Sequence, residues 1–566
     1  MKKAWLKIVF YYLIMIAVSL LILSPKFYFI IKYGSYTELL LNMFFVQALL
    51  LLGVIVFYRS LKIYYYTLAV LSSIFALFFI PVILVKEEVN KGILGLLVNT
   101  NLRESRELIG WFVIPIILAM LAFFFIALFL LKKLPSKIDF PRAIICSLTG
   151  FVVILLFGFK NKPFHEKYAD AVSENFRYYF PTKVVVEFRD YYQQTTLYSD
   201  KNYQQTMRSF SFGAVKKSQK KPERKIQILV IGEASRYDHW GINGYQRNTS
   251  PYLSQEENLI AFSNVTSGAP MTVKSVPMLV SRGGIDNYFT HYKEKGILGA
   301  FKEAGYYTAW ISNQEPELKL TLFHIPDADT IIFSKNTRGK FYQQNFYDEL
   351  LIGELKRVIE NTNKDICVVL HTMGSHWNYS CRYPPSFQKF PTNLSLNSML
   401  PNYVPRQDMV NAYDNSILYT DYFLDLVINE LKSFKSAESS LLYVSDHGEN
   451  LQDFDNLVTH TDIPNYYSLR VPLFIWLSND FAENNNKVYN TIIANKDKPV
   501  SSAESVFYTL MDLGGITIPS DPHCSVYNLC SEKFEDSKQK VLTLNNTIMF
   551  FSELKTEKQW LTENKK

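Results

Sequence analysis

The stretch LLYVSDHGEN, residues 441–450, changes character halfway along. A largely apolar run ending at Ser445 reads as a buried strand, and Asp446, His447 and Glu449 then place three ionisable side chains where that strand runs out. Four other runs share its apolar build: IQILVIG (226–232), YYTAWIS (306–312), DICVVLHT (365–372) and VPLFIWL (471–477). Between them, stretches such as 296–305, 346–361 and 411–434 carry helical periodicity. Strands separated by helices predict an α/β domain, a mostly parallel sheet covered on both faces.

Ligands of open α/β sheets bind beyond the carboxyl ends of the strands, and the unusual polar residues of this chain follow the strand runs. Glu233 follows the first, Asn313 and Gln314 follow AWIS, and His371 and His376 end or follow CVVL. Asp446 and His447 follow LLYVS, and His460 lies in the loop beyond. Glutamate, aspartate and histidine are the oxygen and nitrogen ligands of zinc, whose catalytic sites keep one position open for substrate. Taken singly, a Glu after a strand is more often a helix-start acid and a His a satisfied polar group; it is the joint pattern that predicts a metal. TSGAPMTVKSVPMLVS (266–281) adds Thr272 at the start of a helix, where the helix dipole favours an oxyanion or a bound phosphate and a metal would make the hydroxyl a nucleophile. The plainer role for Thr272 is an N-cap. Pro277, inside the same helix, predicts a kink.

The 566 residues carry a net charge of +7 without a Lys/Arg tract of the kind that reads nucleic acid, so no nucleic-acid partner is expected. Five apolar stretches are of spanning or near-spanning length, at roughly 8–30, 38–58, 63–85, 109–131 and 143–159. Lys2, Lys3, Lys7, Arg59, Lys62, Lys132, Lys133, Lys137 and Arg142 bias the orientation towards an N-terminus inside, which puts the C-terminal half outside the cytoplasm. The expected organisation is a transmembrane domain over 1–160, an interfacial linker over 161–224, rich in aromatics at HEKYADAVSENFRYYF (165–180), and a catalytic domain over 225–566. Of the five cysteines, Cys524 and Cys530 are spaced to close a small loop in an oxidising compartment.

VIGEASRYDHWGINGYQRNTSPYL, TVKSVPM, HTMGSH, YDNSILYTD and SDHGENL, in this order, resemble the phosphoethanolamine transferases. These are membrane-anchored members of the alkaline phosphatase/sulfatase superfamily that include lipid A-modifying and colistin-resistance enzymes. The resemblance implies a sulfatase-like mixed, mostly parallel sheet and an inner-membrane protein with its catalytic domain in the periplasm. It places Glu233, Thr272, Asp446 and His447 at a zinc site of one or two ions, with Thr272 as nucleophile. His376 and His460, with Asn313 and His371, fall where the phosphoryl group or a second metal is met, and Thr100 and Glu104 where the donor lipid is engaged. The implied reaction moves phosphoethanolamine from phosphatidylethanolamine to lipid A, lipopolysaccharide core or another envelope glycan through a phosphothreonine-type intermediate. A disulfide flanks the nucleophile in lipid A-type members; Gly268 and Met278 stand at those positions here. A phosphoglycerol transferase or a hydrolase on the same metal site, and an inactive membrane scaffold, remain as alternatives.

Overall fold

The computed structural model describes residues 9–11, 13–24, 36–75, 77, 113–158, 179–196, 207, 209–217, 224–314, 322–334, 347–394, 404–454, 457–459, 464–535, 538–543, 546–556 and 558–559. The chain divides into two units, Met1–Thr196 and Leu197–Lys566.

The first unit is helical: α1 (Tyr36–Leu52), α2 (Leu61–Phe75), α3 (Val113–Leu131), α4 (Phe140–Gly158) and α5 (Thr182–Thr196). α1 packs along α4 and α2 along α3. The α1–α4 contact is close because Gly150 has no side chain: a Cβ there would lie 2.5 Å from the Ala48 carbonyl oxygen. Ser147 joins the same helices, its hydroxyl facing the Leu51 and Leu52 carbonyls at 3.2 and 3.1 Å. Small residues and shared hydroxyls of this kind are how apolar helices associate where water exclusion offers no drive. Among the described residues, one helix, Ile114–Leu131, is long and apolar enough to cross a membrane, and Leu39–Ile55, Leu61–Phe75 and Phe140–Leu156 are shorter apolar helices. Leu118, Phe125 and Phe129 of α3 point outward, each about 60% exposed. The expected stretches at 8–30 and 63–85 run in part over residues outside those described.

The second unit is built on a seven-stranded sheet. Its strands are β1 (Arg224–Gly232), β2 (Leu259–Ala261), β3 (Tyr307–Ser312), β4 (Thr330–Phe333), β5 (Ile366–His371), β6 (Ala437–Ser445) and β7 (Leu473–Leu477), in the order β2–β7–β6–β1–β5–β3–β4. β6, β1, β5, β3 and β4 are parallel, whereas β7 runs antiparallel to both its neighbours. β1 lies at the centre and is buried from Lys225 to Gly232, which explains its unbroken apolar run. One face of the sheet, with Leu229, Ile231, Val369, Leu442 and Val444, packs on α7 (Ile297–Glu303) and α10 (Ser502–Leu513). α8 (Leu350–Glu360) packs on β3 and β5 and against the long α9 (Arg406–Ser433).

All five runs taken as strands are strands, and the three helical stretches are α7, α8 and α9. β2 and β4 went unseen because three or four residues carry too little alternation to mark a strand. The cysteines are free thiols. Cys530 is buried in the core and Cys524 donates to the Ile518 carbonyl at 3.7 Å, so the small loop is not closed by a disulfide in this structure.

Phe474, on β7, is fully buried with its ring centroid 5.0 Å from Trp240 and 5.6 Å from Tyr443. Truncating such a ring removes its burial and leaves a cavity. Phe474→Ala should therefore cost about 3–5 kcal/mol, read as a lowered thermal unfolding midpoint, while Phe289→Ala, at a 56% exposed ring, should leave the midpoint nearly unchanged.

Candidate active site

Register decides which residues meet. Gly232 pairs with Ser445, Ile231 with His371, and Ser312 with His371. The chains leaving β1, β3, β5 and β6 therefore emerge at one edge, beginning with Glu233, Asn313, Thr372 and Asp446. Ala234, at φ 55°, turns the chain sharply after Glu233 and donates its amide to Asp446 Oδ1 at 3.1 Å. The Asp446 amide in turn donates to the Gly232 carbonyl at 3.0 Å. The two loops are thus tied to each other at the residues that carry the carboxylates.

Among the described residues, Glu233, Asp446 and His447 form the group able to hold a metal, with one ligand atom from each within 4.8 Å of the others. His447 Nε2 lies 3.3 Å from Glu233 Oε1 and 3.5 Å from Asp446 Oδ2. His447 Nδ1 is 2.6 Å from the Gly448 carbonyl, which only accepts, so Nδ1 carries a proton and Nε2 is the nitrogen that faces the carboxylates. Thr272 is the first residue of α6 (Thr272–Leu279), which runs through Pro277 without ending, and Met271 occupies the capping position. The Thr272 hydroxyl caps nothing. It sits 3.2 Å from His447 Nε2 and 3.4 and 3.3 Å from the two Glu233 oxygens.

All three ionisable side chains are buried. Burial, then the charge of Glu233, raises the Asp446 pKa. Burial opposes a charged His447, but Asp446 and Glu233 outweigh it and raise its pKa. Two buried carboxylates this close need positive charge between them. Among the described residues, no hydrogen-bond donor reaches the fully buried Asp446 Oδ2. Two carboxylates, an imidazole with its Nε2 turned towards them and a hydroxyl make a donor set that fits zinc better than the all-oxygen shells of calcium or magnesium.

Asn313 instead donates to Asp348 Oδ1 at 2.8 Å and accepts from the Ser334 hydroxyl at 2.7 Å. His371 is buried edge-on to Trp310 and pulled down to about 4 by burial, so it is a neutral core side chain rather than a member of the cluster. His376 is half-buried with Nδ1 2.6 Å from the Trp377 carbonyl, and is not among the clustered ligands. His460, Thr100 and Glu104 lie outside the described residues.

Two further residues support the cluster: Tyr413 opens the YDNSILYTD stretch, whereas Asp348 carries no sequence signal. Asp348, at the approach to α8, accepts from the amides of Met373 and Gly374, both at 2.9 Å. That holds Gly374 flush against the Glu233 backbone, where a Cβ would lie 2.8 Å from the Glu233 carbonyl oxygen. Tyr413 of α9 accepts from the Arg236 amide at 2.8 Å and donates to the Ala234 carbonyl at 2.7 Å. The positions Gly268 and Met278 are in contact: a Cβ on Gly268 would meet Met278 Cε at 2.7 Å, so the methionine covers the strand leading to Thr272.

The model of the family described as Sulfatase matches residues 225–516, which contain the whole cluster. Among curated proteins, the chain is 31% identical over 321 residues to phosphoethanolamine transferase EptA of Escherichia coli (strain K12), covering 53% of this chain and 54% of that protein. The match thus spans about half the length of that relative. The integral membrane protein lipooligosaccharide phosphoethanolamine transferase A from Neisseria meningitidis shares the fold at a TM-score of 0.69 and 21% identity, over 92% of this chain and 96% of that chain. The C-terminal periplasmic domain of EptC from Escherichia coli, solved in complex with Zn, superposes at a TM-score of 0.53 and 23% identity, over 60% of this chain and 96% of that chain.

Gly448 tests whether backbone packing holds His447 in place. A Cβ on it would lie 2.0 Å from the Tyr467 carbonyl oxygen, a backbone atom that cannot swing aside. Gly448→Ala should displace the His447 backbone, and elemental analysis of the purified protein should show bound metal falling well below the wild-type content.

Proposed function

The chain belongs to the sulfatase family, and we propose that within it this protein is a zinc-dependent phosphoethanolamine transferase. In this reading it takes the group from phosphatidylethanolamine and places it on lipid A, lipopolysaccharide core or another envelope glycan. The single observation that carries the reading is the Thr272 hydroxyl, which caps no helix and instead sits 3.2–3.4 Å from the imidazole and carboxylate of a buried metal-type cluster. The names of the relatives support phosphoethanolamine as the group moved.

Thr272 supplies the nucleophile. Its Oγ bonds to the phosphorus of phosphatidylethanolamine, the bond from phosphorus to the glycerol oxygen breaks, and diacylglycerol leaves with a proton on that oxygen. An acceptor hydroxyl oxygen then bonds to phosphorus, and Thr272 Oγ leaves and regains a proton. Glu233, Thr272, Asp446 and His447 would hold a zinc that lowers the pKa of the Thr272 hydroxyl and offsets charge on the phosphoryl oxygens. The first turn of α6 adds its positive end beside the same oxygens. His376 and His460 would meet the phosphoryl group or a second metal, and Thr100 and Glu104 the donor lipid.

The apolar outer faces of α3 and α4 suit a bilayer, where a lipid donor must be met. We read residues 1–160 as the inner-membrane part, 161–224 as the interfacial linker and 225–566 as the periplasmic catalytic part.

Incubating the purified full chain with phosphatidylethanolamine labelled in its headgroup should release diacylglycerol and leave the label on the Thr272 peptide. Thr272→Ala should lower turnover by about 10³-fold or more, with Thr272→Ser retaining a measurable fraction. Free labelled phosphoethanolamine without acceptor modification would favour a hydrolase, and label appearing only from phosphatidylglycerol would favour a phosphoglycerol transferase. Mass spectrometry of envelope glycolipids from cells with and without the gene should show a gain of one phosphoethanolamine unit on the acceptor.

A further inference from the structure

The two oxygens of Glu233 share the Thr272 hydroxyl, at 3.4 and 3.3 Å, but differ in their other partners. Oε1 lies 3.3 Å from His447 Nε2, on the side of the cluster. Oε2 lies 3.2 Å from Gln314 Nε2, and the same Gln314 nitrogen lies 2.8 Å from the Thr372 carbonyl oxygen. Both partners only accept, so the chemistry fixes which end of the amide faces them: the two N–H groups donate, one to the carboxylate and one to the backbone. Gln314 is buried, with 5% of its surface exposed. Its own amide donates to the Ser312 hydroxyl at 3.0 Å. Thr372 is anchored too, donating to the Ile231 carbonyl from its amide at 3.1 Å and from its hydroxyl at 3.0 Å. The side chain therefore bridges the end of β3 to the ends of β5 and β1, and its last link is the carboxylate.

We infer that Gln314 is a positioning residue for the metal centre, fixing the rotation of the Glu233 carboxylate by holding Oε2 while Oε1 faces His447. This rests on the reading of Glu233, Asp446 and His447 as zinc ligands. An unheld carboxylate rotates about its last bond and can offer either oxygen or both. One held at Oε2 by a buried donor has lost that freedom before the ion arrives. A neutral amide does this without adding a third negative charge to a site that already buries two.

The test uses the full chain, purified in detergent and stripped of metal, with zinc affinity read by competition against a chelating dye. Gln314→Met keeps the volume and removes both donors; zinc affinity should weaken by about 10–100-fold while the metal-free thermal midpoint stays within a few degrees of wild type. Cobalt-loaded protein should show a changed visible absorption band, because the carboxylate is then free to bind in another mode. Gln314→Glu keeps the shape and reach, places a carboxylate against a carboxylate, and should lose at least as much affinity, so it carries the test if the methionine variant unfolds. Unchanged zinc affinity and an unchanged cobalt spectrum in either folded variant would overturn the role of Gln314. A wild-type chain that binds no zinc would overturn the metal reading beneath it.

Discussion

Glu233 and Asp446 are held side by side in full burial, and such a pair stands only where positive charge neutralises it. The rest of the catalytic unit is arranged around that electrostatic demand. Neither carboxylate sits on a mobile surface loop. Each is the first residue past the end of a central strand, and β1 and β6 are adjacent and in register, so the two are delivered to the same level. The imidazole of His447 follows directly, and its Nδ1 proton is committed to a backbone carbonyl. That leaves one nitrogen to face the charge.

Holding this arrangement takes close backbone packing rather than more charge. Gly374 and Gly448 are placed where a methyl group would collide with backbone, the first against Glu233 and the second against Tyr467. Asp348, just before α8, and Tyr413 of α9 reach in to bind the loop amides and carbonyls around Glu233. A ligand carboxylate fixed by its surroundings loses little further freedom on meeting an ion, which raises affinity without adding a ligand. The same stiffness positions Thr272, whose helix begins where the cluster ends.

The two units distribute their apolar side chains differently. In the first, long apolar side chains of α3 point outward and small or hydroxyl residues make the helix contacts. In the second, apolar side chains lie on both faces of the sheet, and buried polar groups gather at one edge. The proposed transfer from a lipid donor would call for both arrangements in one chain, an apolar part to meet the donor and a polar, preorganised pocket for bond-making.

By itself the sequence determined the class of fold and the identity of the clustered side chains. Unbroken apolar runs mark strands buried on both faces, and Glu233, Asp446 and His447 follow such runs directly, where an α/β sheet exposes its strand ends. Only the tertiary structure decided which of the polar residues after those strands converge. Asn313 follows its strand and His371 ends its own, yet one side chain is spent on Asp348 and Ser334 and the other lies against Trp310. Gln314, one residue later than Asn313, reaches Glu233 instead. The reason is physical: a strand fixes where its last residue lies, but side-chain direction beyond it depends on turns set by partners far away in the chain. Asp348 is 115 residues from Glu233 in number, and no local pattern records that the two loops meet.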